Sequence, residues 1–243
     1  MDYNKSFLGE TMNLVCVHGN SLDSSIFDQI EIPFLQKIAI NLPGHGGRAI
    51  GNNKSFLDLV NTVHDDLVGK KDLVLFGSSL GGHIMYHLLS RLNPLAIITI
   101  SSPPLNLENV SKAFFPNPLG ALLFQEEISE IDSLNLSHSM LHLKKGDAHK
   151  LSQMIQMTDP KVRGVIGQSL MRGEFLDEVE LLTNFKGKKI FLTPTEEKFV
   201  NSDYIRSLSL GEVIEVDGGH ILTQDNPKMI NEILSRELGE LRA

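Results

Sequence analysis

Residues 73–82 read LVLFGSSLGG, and they carry the strongest structural signal in the chain. Its first four residues form a short apolar run typical of a buried strand, and Ile84 and Leu88 follow at helical spacing. The residues between them, 77–81, match G-x-S-x-G, the pattern of a sharp strand-to-helix turn that exposes a serine. The stretch therefore predicts a strand, a tight turn with Ser79 at its apex, and a helix.

Similar apolar runs, rich in β-branched residues, recur along the chain. Buried parallel strands are predicted at 14–17, 38–42, 73–76, 96–100 and 189–192, with a sixth at 213–216. Segments of helical period lie between several of these runs, for example at 56–67. This alternation predicts a mostly parallel, doubly wound α/β sheet covered on both faces. Its binding crevice is expected at the carboxyl ends of the strands.

One long segment, residues 105–184, breaks the alternation. It contains no convincing strand, but 114–124, 131–143 and 151–170 have apolar spacing compatible with helices. We therefore expect a core formed by 1–104 and 185–243, with 105–184 as a helical insertion. Because the insertion leaves the sheet at its carboxyl end, it is expected to form a cap that excludes water and shapes the pocket.

The composition excludes several classes of function. The 243 residues carry a formal net charge of -8, and the 22 Lys and Arg are scattered, so neither nucleic acid nor an anionic membrane surface is an expected partner. Without a leading apolar segment or a run of about 20 apolar residues, the chain is expected to be cytoplasmic. A single cysteine, Cys16, allows no intrachain disulfide and is expected to be a buried thiol.

Ser79 needs a general base, since a serine hydroxyl is a weak nucleophile at neutral pH. Gly77 and Gly81 provide the small residues that the turn requires, and they place Ser79 at a helix N-terminus. The expected base is His220, because it follows the strand at 213–216 and a short glycine loop and so reaches the same edge of the sheet. His64, His83 and His87 lie on predicted helices and are assigned to packing or to the surface.

The third group, an acid that orients the histidine, is expected after the strand at 189–192. Two adjacent glutamates stand there, and in extended chain only one of them can face His220. Glu197 is preferred and Glu196 is the alternative. Three further carboxyl groups stay open as candidates, namely Asp203, Asp217 and Asp225.

Two backbone amides are expected to stabilise the developing negative charge of the reaction. One belongs to Leu80, the residue after the nucleophile, and the other to Asn20, just after the first strand. Substrate contacts are predicted for His18 and Ser78 beside these groups. Met154 and Met157 are the candidates for an adaptable acyl pocket, although methionines at helical spacing also suit a core.

No cofactor or metal is predicted. Residues 44–49 nearly match the dinucleotide fingerprint G-x-G-x-x-G/A, but no helix opens on these glycines to hold a pyrophosphate. His138 and His142 are spaced as metal ligands on a helix can be, yet no catalytic glutamate, cysteine or carboxylate cluster accompanies them.

Four landmarks, in order, resemble those of the α/β-hydrolase superfamily: HGN at 18–20, LPGHG at 42–46, the G-x-S-x-G turn, and GGH at 218–220. Within that superfamily, FGSSLGGHI at 76–84, SPP at 102–104 and EKFV at 197–200 resemble the N-acyl-homoserine lactone lactonases of α/β-hydrolase type. The resemblance implies a glutamate as triad acid, which falls on Glu197, and an oxyanion asparagine, which falls on Asn20.

Two departures from the family pattern stand out. The leading antiparallel hairpin is expected to be shortened or missing, because the first strand begins so early in the chain. The insertion also lacks a tyrosine that would help to hold a lactone or acyl substrate, since the three tyrosines lie at Tyr3, Tyr86 and Tyr204.

The predicted activity is hydrolysis of a small or medium-sized carboxylic ester or lactone through an acyl-enzyme on Ser79. The same triad would also serve a thioesterase, a carbon–carbon bond hydrolase or a perhydrolase, and a rival of another class is a ligand receptor that keeps the pocket without turnover. The expected partner is the small-molecule substrate alone, with the chain as a monomer or homodimer.

Overall fold

The computed structural model describes residues 12–142 and 147–242, and it is built around one parallel sheet. The strands are β1 (Met12–Val17), β2 (Leu35–Ile40), β3 (Leu73–Ser78), β4 (Ala96–Ile100), β5 (Lys188–Pro194) and β6 (Glu212–Val216). They are ordered β2-β1-β3-β4-β5-β6, and each neighbouring pair is parallel. The predicted doubly wound α/β fold is confirmed, and 96–100 was predicted with its observed bounds.

Helices connect the strands and cover both faces of the sheet. The α-helices are α1 (Phe56–Leu67), α2 (Leu80–Leu92), α3 (Val110–Ala113), α4 (Pro118–Ala121), α5 (Glu130–Met140), α6 (Ala148–Met157), α7 (Pro160–Met171), α8 (Glu178–Asn184), α9 (Ser202–Leu208), α10 (Leu222–Asp225) and α11 (Pro227–Gly239). Short 3₁₀ helices occupy Ser24–Phe27, Leu122–Phe124 and Glu240–Arg242. None of these described helices is long and apolar enough to cross a membrane.

Alternate residues of the strands build two separate cores. Cys16, Phe76 and Ile98 point to one face and pack with the apolar side of α11. Leu75 and Ile97, one position away, point to the other face and pack with α1 and α2. This is the two-residue period of a strand, and burial on both faces explains why the strands read as continuous apolar runs.

The site is positioned by the order of the strands. The chain runs from β1 outward to β2 on one side, whereas from β3 it proceeds through β4, β5 and β6 on the other. The loops that leave β1 and β3 therefore diverge and open a crevice at the carboxyl ends of these adjacent strands. A ligand site at such a switch point is the general rule for open α/β sheets.

The segment predicted as a helical insertion, residues 105–184, joins β4 to β5 and consists mostly of helices. The segment 151–170 is two helices, because Asp159 caps and Pro160 begins α7. Arg163, on α7, donates to the carbonyl groups of three residues in neighbouring parts of the insertion, namely Gln125, Glu126 and Ile155. This buried guanidinium therefore holds the surrounding helices together.

The last helix of the insertion belongs physically to the layer that covers the sheet. α8 packs against α2, and its Leu182 lies in the same apolar core as α1 and α2. The division of the chain at residue 184 stays a prediction. The shortened hairpin predicted ahead of β1 would fall on residues 1–11, which lie outside the described residues.

The turn after β3 packs so closely against β1 that Gly81 has no room for a side chain. A Cβ atom at Gly81 would lie 2.0 Å from the carbonyl oxygen of Val17, a backbone atom that cannot swing aside. Gly81→Ala is therefore expected to lower the free energy of unfolding by about 3 kcal/mol. Gly239→Ala is the matched control, since nothing lies within 4 Å of the added Cβ at the end of α11.

Urea denaturation of the two variants measures this difference. The control is expected to match the wild type or to gain up to about 1 kcal/mol, because alanine favours a helix over glycine. Equal midpoints for Gly81→Ala and the wild type would contradict the close packing described above.

Candidate active site

Ser79 stands between β3 and α2 in a strained backbone conformation. Its φ of 51° and ψ of -118° are rarely adopted by a residue with a side chain. The turn is fixed from both ends, because the Ser79 amide donates to the carbonyl of Ile100, 2.8 Å away, and Gly82 bonds back to Ser79. The side chain is thus held at the carboxyl edge of the sheet.

The loop after β1 reaches this serine. A Cβ atom built on Gly19 would lie 3.3 Å from the Cβ of Ser79, so the two backbones are in close contact. The amides of Asn20 and Leu80 donate no hydrogen bond within the described part of the chain. Both amides are therefore free to donate to an oxygen atom that develops negative charge. The Asn20 side chain is engaged elsewhere, since its Nδ2 donates to the carbonyl of Leu123 at 2.6 Å.

His220 and Glu197 form a buried pair at the same edge. The Nδ1 atom of His220 lies 2.9 Å and 3.0 Å from the two carboxylate oxygens of Glu197, and both side chains are 4% exposed. A carboxylate accepts hydrogen bonds only, so Nδ1 carries the proton and Nε2 is left as the basic atom. The ring of Phe199 packs edge-on against the imidazole, with centroids 5.0 Å apart.

Further donors hold the Glu197 carboxylate in place. Its Oε1 accepts the Phe199 amide at 2.9 Å, and its Oε2 accepts the Ser101 hydroxyl at 2.6 Å. Burial acts to raise the pKa of Glu197, but the charge interaction with His220 and the hydrogen bonds to the carboxylate outweigh it, so the pKa lies below its ordinary value. The ionised form is therefore the stable one in the folded protein.

The other carboxyl groups considered from the sequence have different surroundings. Glu196 is exposed. Asp203 and Asp217 bond to side chains other than His220. Asp225 accepts backbone amides, at 2.7 Å and 2.9 Å, that include the amide of the residue before His220. Among these candidates, the structure brings only Glu197 to the histidine.

The Ser79 hydroxyl makes no hydrogen bond to His220 or to any other described residue. Such contacts are often long in ligand-free enzymes and shorten when the substrate is bound. Among the predicted catalytic groups, His220 and Glu197 are thus joined by hydrogen bonds. Ser79 lies at the crevice with the unengaged amides of Asn20 and Leu80.

A cavity of about 90 Å³ opens in front of the serine. Most of its wall is apolar, and the helical insertion provides a large share of it. Its lining residues are Asn20, Phe56, Ser79, Leu80, His83, Leu105, Phe114, Leu123, Phe124, Ile166, Ser169, Leu170, Glu174, Phe175 and Glu178. A site of this kind, apolar with a few placed polar groups, is typical of small-molecule binding.

The four side chains predicted to contact substrate lie outside this lining. His18 is buried, and its Nε2 accepts the amide of Leu42 at 3.0 Å. Desolvation by burial lowers the pKa of His18 to about 4, so its ring is neutral and structural. The Ser78 hydroxyl is buried away from the cavity, Met154 packs in the core, and Met157 is 76% exposed.

Several lining residues were not anticipated from the sequence. His83 was assigned to packing or to the surface, although its position one helical turn after Ser79 places it on the same side of α2. Glu174 and Glu178 carry no local signal, because only the path of the insertion brings them to the cavity. In the described ranges, no group of three or more His, Cys, Asp or Glu side chains is placed to hold a metal ion.

A serine on a strained strand-to-helix turn, with a histidine–carboxylate pair at the same sheet edge, is the arrangement of α/β-hydrolases. A family model described as "Alpha/beta hydrolase family" matches residues 14–233, and the chain belongs to this family. The resemblance inferred from the sequence landmarks is thereby confirmed. No curated protein sequence matches the chain.

Solved structures agree over nearly the whole length. The N-acyl homoserine lactonase AidH, complexed with N-butanoyl homoserine, matches with a TM-score of 0.85 and 25% identity, covering 96% of this chain and 90% of that one. A thermophilic esterase from Thermogutta terrifontis matches with a TM-score of 0.74 and 17% identity, and the match covers 96% of this chain and 91% of that one. Est816, an N-acyl homoserine lactone degrading enzyme, matches with a TM-score of 0.67 and 18% identity, and the match covers 93% of this chain and 93% of that one. The last two show likeness of fold alone.

The lowered pKa of Glu197 predicts a pH-dependent contribution to stability. Because the carboxylate is more easily ionised in the folded chain, its contribution is present above the unfolded pKa of about 4.3 and is lost as the pH falls through the lower folded pKa. Glu197→Gln is therefore expected to lose about 2 kcal/mol of unfolding free energy near neutral pH, and less at acidic pH.

Chemical denaturation across a pH series measures this loss. Glu196→Gln, at the exposed neighbouring position, is the control and is expected to change stability by less than about 0.5 kcal/mol at any pH. A loss in Glu197→Gln that stays constant down to acidic pH would rule out this account of the buried carboxylate.

Proposed function

We propose that this protein hydrolyses small or medium-sized carboxylic esters or lactones through an acyl-enzyme on Ser79. The observation that carries the proposal is the strained Ser79 turn beside two unengaged amides, at the same sheet edge as the buried His220–Glu197 pair. The similarity to AidH, which is an N-acyl homoserine lactonase, supports ester or lactone chemistry.

The proposed reaction uses each of these groups in turn. The Ser79 oxygen attacks the carbonyl carbon while Nε2 of His220 takes its proton, and Glu197 stabilises the imidazolium through Nδ1–H. The amides of Asn20 and Leu80 bind the oxyanion. His220 then gives the proton to the leaving alcohol oxygen, and a water molecule, activated by the same ring, releases the acid and restores Ser79.

The helical insertion acts in this proposal as a cap. Leu123 and Phe124 from its first part, together with Ile166 and Leu170 from α7, line the cavity that faces Ser79. These apolar walls favour a neutral acyl chain, and their limited space favours a short one. Exclusion of water by the cap would also strengthen the electrostatic contacts to the oxyanion.

The same groups would serve thioester hydrolysis, carbon–carbon bond hydrolysis or perhydrolysis, and a pocket of this kind can also bind a ligand without turnover. The hydrogen bonds that hold Glu197 favour an enzyme over a ligand receptor. Glu197 is held by several donors and directed at His220, an arrangement that ligand binding alone does not need.

The proposal predicts that activity depends on one hydroxyl group. Hydrolysis of p-nitrophenyl esters of increasing acyl length, and of lactones of matching length, is expected in the wild type, with kcat/KM lowered by at least about 10⁴-fold in Ser79→Ala. Ser90→Ala is the control, since Ser90 is exposed on the same helix, α2, and is expected to leave kcat/KM unchanged.

The outcomes separate the alternatives. Equal activity in Ser79→Ala and the wild type would overturn the serine mechanism. Turnover confined to thioesters or to carbon–carbon substrates would move the protein to that reaction class. Binding without turnover in any assay would identify a receptor.

A further inference from the structure

A second histidine–carboxylate pair lies in the wall of the cavity, one helical turn from the nucleophile. The Nδ1 atom of His83, on α2, lies 2.9 Å and 3.2 Å from the carboxylate oxygens of Glu178, the first residue of α8. The Glu178 side chain is 1% exposed and the His83 side chain is 12% exposed. Both residues line the cavity that also contains Ser79.

The carboxylate of this pair is anchored independently of the histidine. Its Oε2 accepts the amide of Leu105 at 2.8 Å, while the amide of Glu178 donates to the Leu105 carbonyl, also at 2.8 Å. These two bonds join the beginning of the helical insertion to its last helix. Glu178 therefore has a fixed position, and it fixes the orientation of the His83 ring.

The proton on the ring of His83 can be assigned from these contacts. A carboxylate that already accepts a backbone N–H can only accept from the ring, so Nδ1 of His83 carries hydrogen. In the neutral ring Nε2 is then an acceptor, and it has no hydrogen-bond partner among the described residues. The available polar atom of this pair is thus Nε2, which is a hydrogen-bond acceptor in this tautomer and belongs to a side chain that lines the cavity.

The neighbouring histidine shows the contrast. His87 is buried, its Nδ1 donates to the carbonyl of His83 at 2.8 Å, and its Nε2 accepts the amide of Leu176 at 2.9 Å. Desolvation lowers the pKa of His87, and its two nitrogen atoms are both engaged. His87 therefore holds the backbone, whereas His83 keeps one nitrogen for a ligand.

The rest of the cavity makes this acceptor selective. Its other wall residues are largely apolar, and the Ser169 hydroxyl is taken up by Glu174 at 3.0 Å. An acceptor that loses water to an apolar substrate group loses a hydrogen bond, whereas a substrate O–H or N–H restores it. The carboxylates of Glu174 and Glu178 in the same wall disfavour a negatively charged substrate group.

We propose that His83 is a specificity residue that selects uncharged esters or lactones bearing an O–H or N–H donor on the part that enters the cavity. This inference rests on the proposed function, because it concerns the substrate of the same site. Glu178 is a positioning residue that acts through His83.

Matched pairs of esters test the selection. The first set is p-nitrophenyl butanoate, its β-hydroxy derivative and its β-oxo derivative, and the second is the hexanoate with its ω-hydroxy derivative. In the wild type, kcat/KM is expected to be about tenfold higher for a hydroxylated ester than for its parent in at least one set. The oxo derivative is expected to show no increase in kcat/KM over the parent ester, because its carbonyl group cannot donate a hydrogen bond. Equal values within both sets would overturn the proposal.

Two substitutions separate recognition from packing. His83→Asn keeps an N–H near the position of Nδ1, so Glu178 stays paired, but it removes the acceptor at Nε2 and is expected to abolish the hydroxyl preference. His83→Gln places an amide oxygen near the position of Nε2 and is expected to retain the preference. A preference that survives in His83→Asn would assign it to another residue.

Binding provides a readout that does not need turnover. Calorimetric titration of Ser79→Ala with the same esters is expected to show about tenfold tighter binding of the hydroxylated member, and His83→Asn in the same background removes this difference. Selective binding without hydrolysis by the wild type would refute the proposed function and leave the role of His83 standing. Hydrolysis without any preference for the hydroxylated esters would support the proposed function and refute the role of His83.

Discussion

The close contact between the turn after β3 and the end of β1 is the constraint on which the site depends. Gly81 lies against the carbonyl group of Val17, and Gly19 lies against Ser79, so the two loops touch through backbone atoms. This contact brings the amide of Asn20 to the same crevice as the amide of Leu80. A larger residue at either glycine would separate the strained serine from the second candidate donor of the oxyanion hole.

The order of the strands places the other polar groups of the site along the same edge of the sheet. Ser101, directly after β4, donates to Glu197, which lies beyond β5, and Glu197 accepts from His220, which lies beyond β6. Each successive strand thus adds one member of a continuous chain of hydrogen bonds along the carboxyl edge. The parallel register of the sheet brings together residues that are more than 100 positions apart in sequence, such as Ser101 and His220.

The sequence was sufficient for the sheet and for the landmarks at its edge, because both depend on local patterns. A buried parallel strand is a short apolar run, and the sharp turn at Ser79 requires small residues at fixed positions. The cavity was less accessible to prediction. Met157 has the spacing of a core residue but is exposed, and Glu178 faces His83 only because the insertion returns to α2. Periodicity describes one helix at a time and cannot place helices relative to one another.

The side chain of Asn20 links the loop after β1 to the helical insertion. Its Nδ2 donates to the carbonyl of Leu123 in the helical insertion, while its backbone amide belongs to the loop whose Gly19 lies against Ser79. A residue whose amide is a candidate oxyanion donor is therefore also joined to the insertion through its side chain. In the proposed mechanism, a displacement of the insertion away from the sheet breaks this bond and frees the loop that carries the amide. Access to the cavity and the placement of the amide are thereby coupled through one residue.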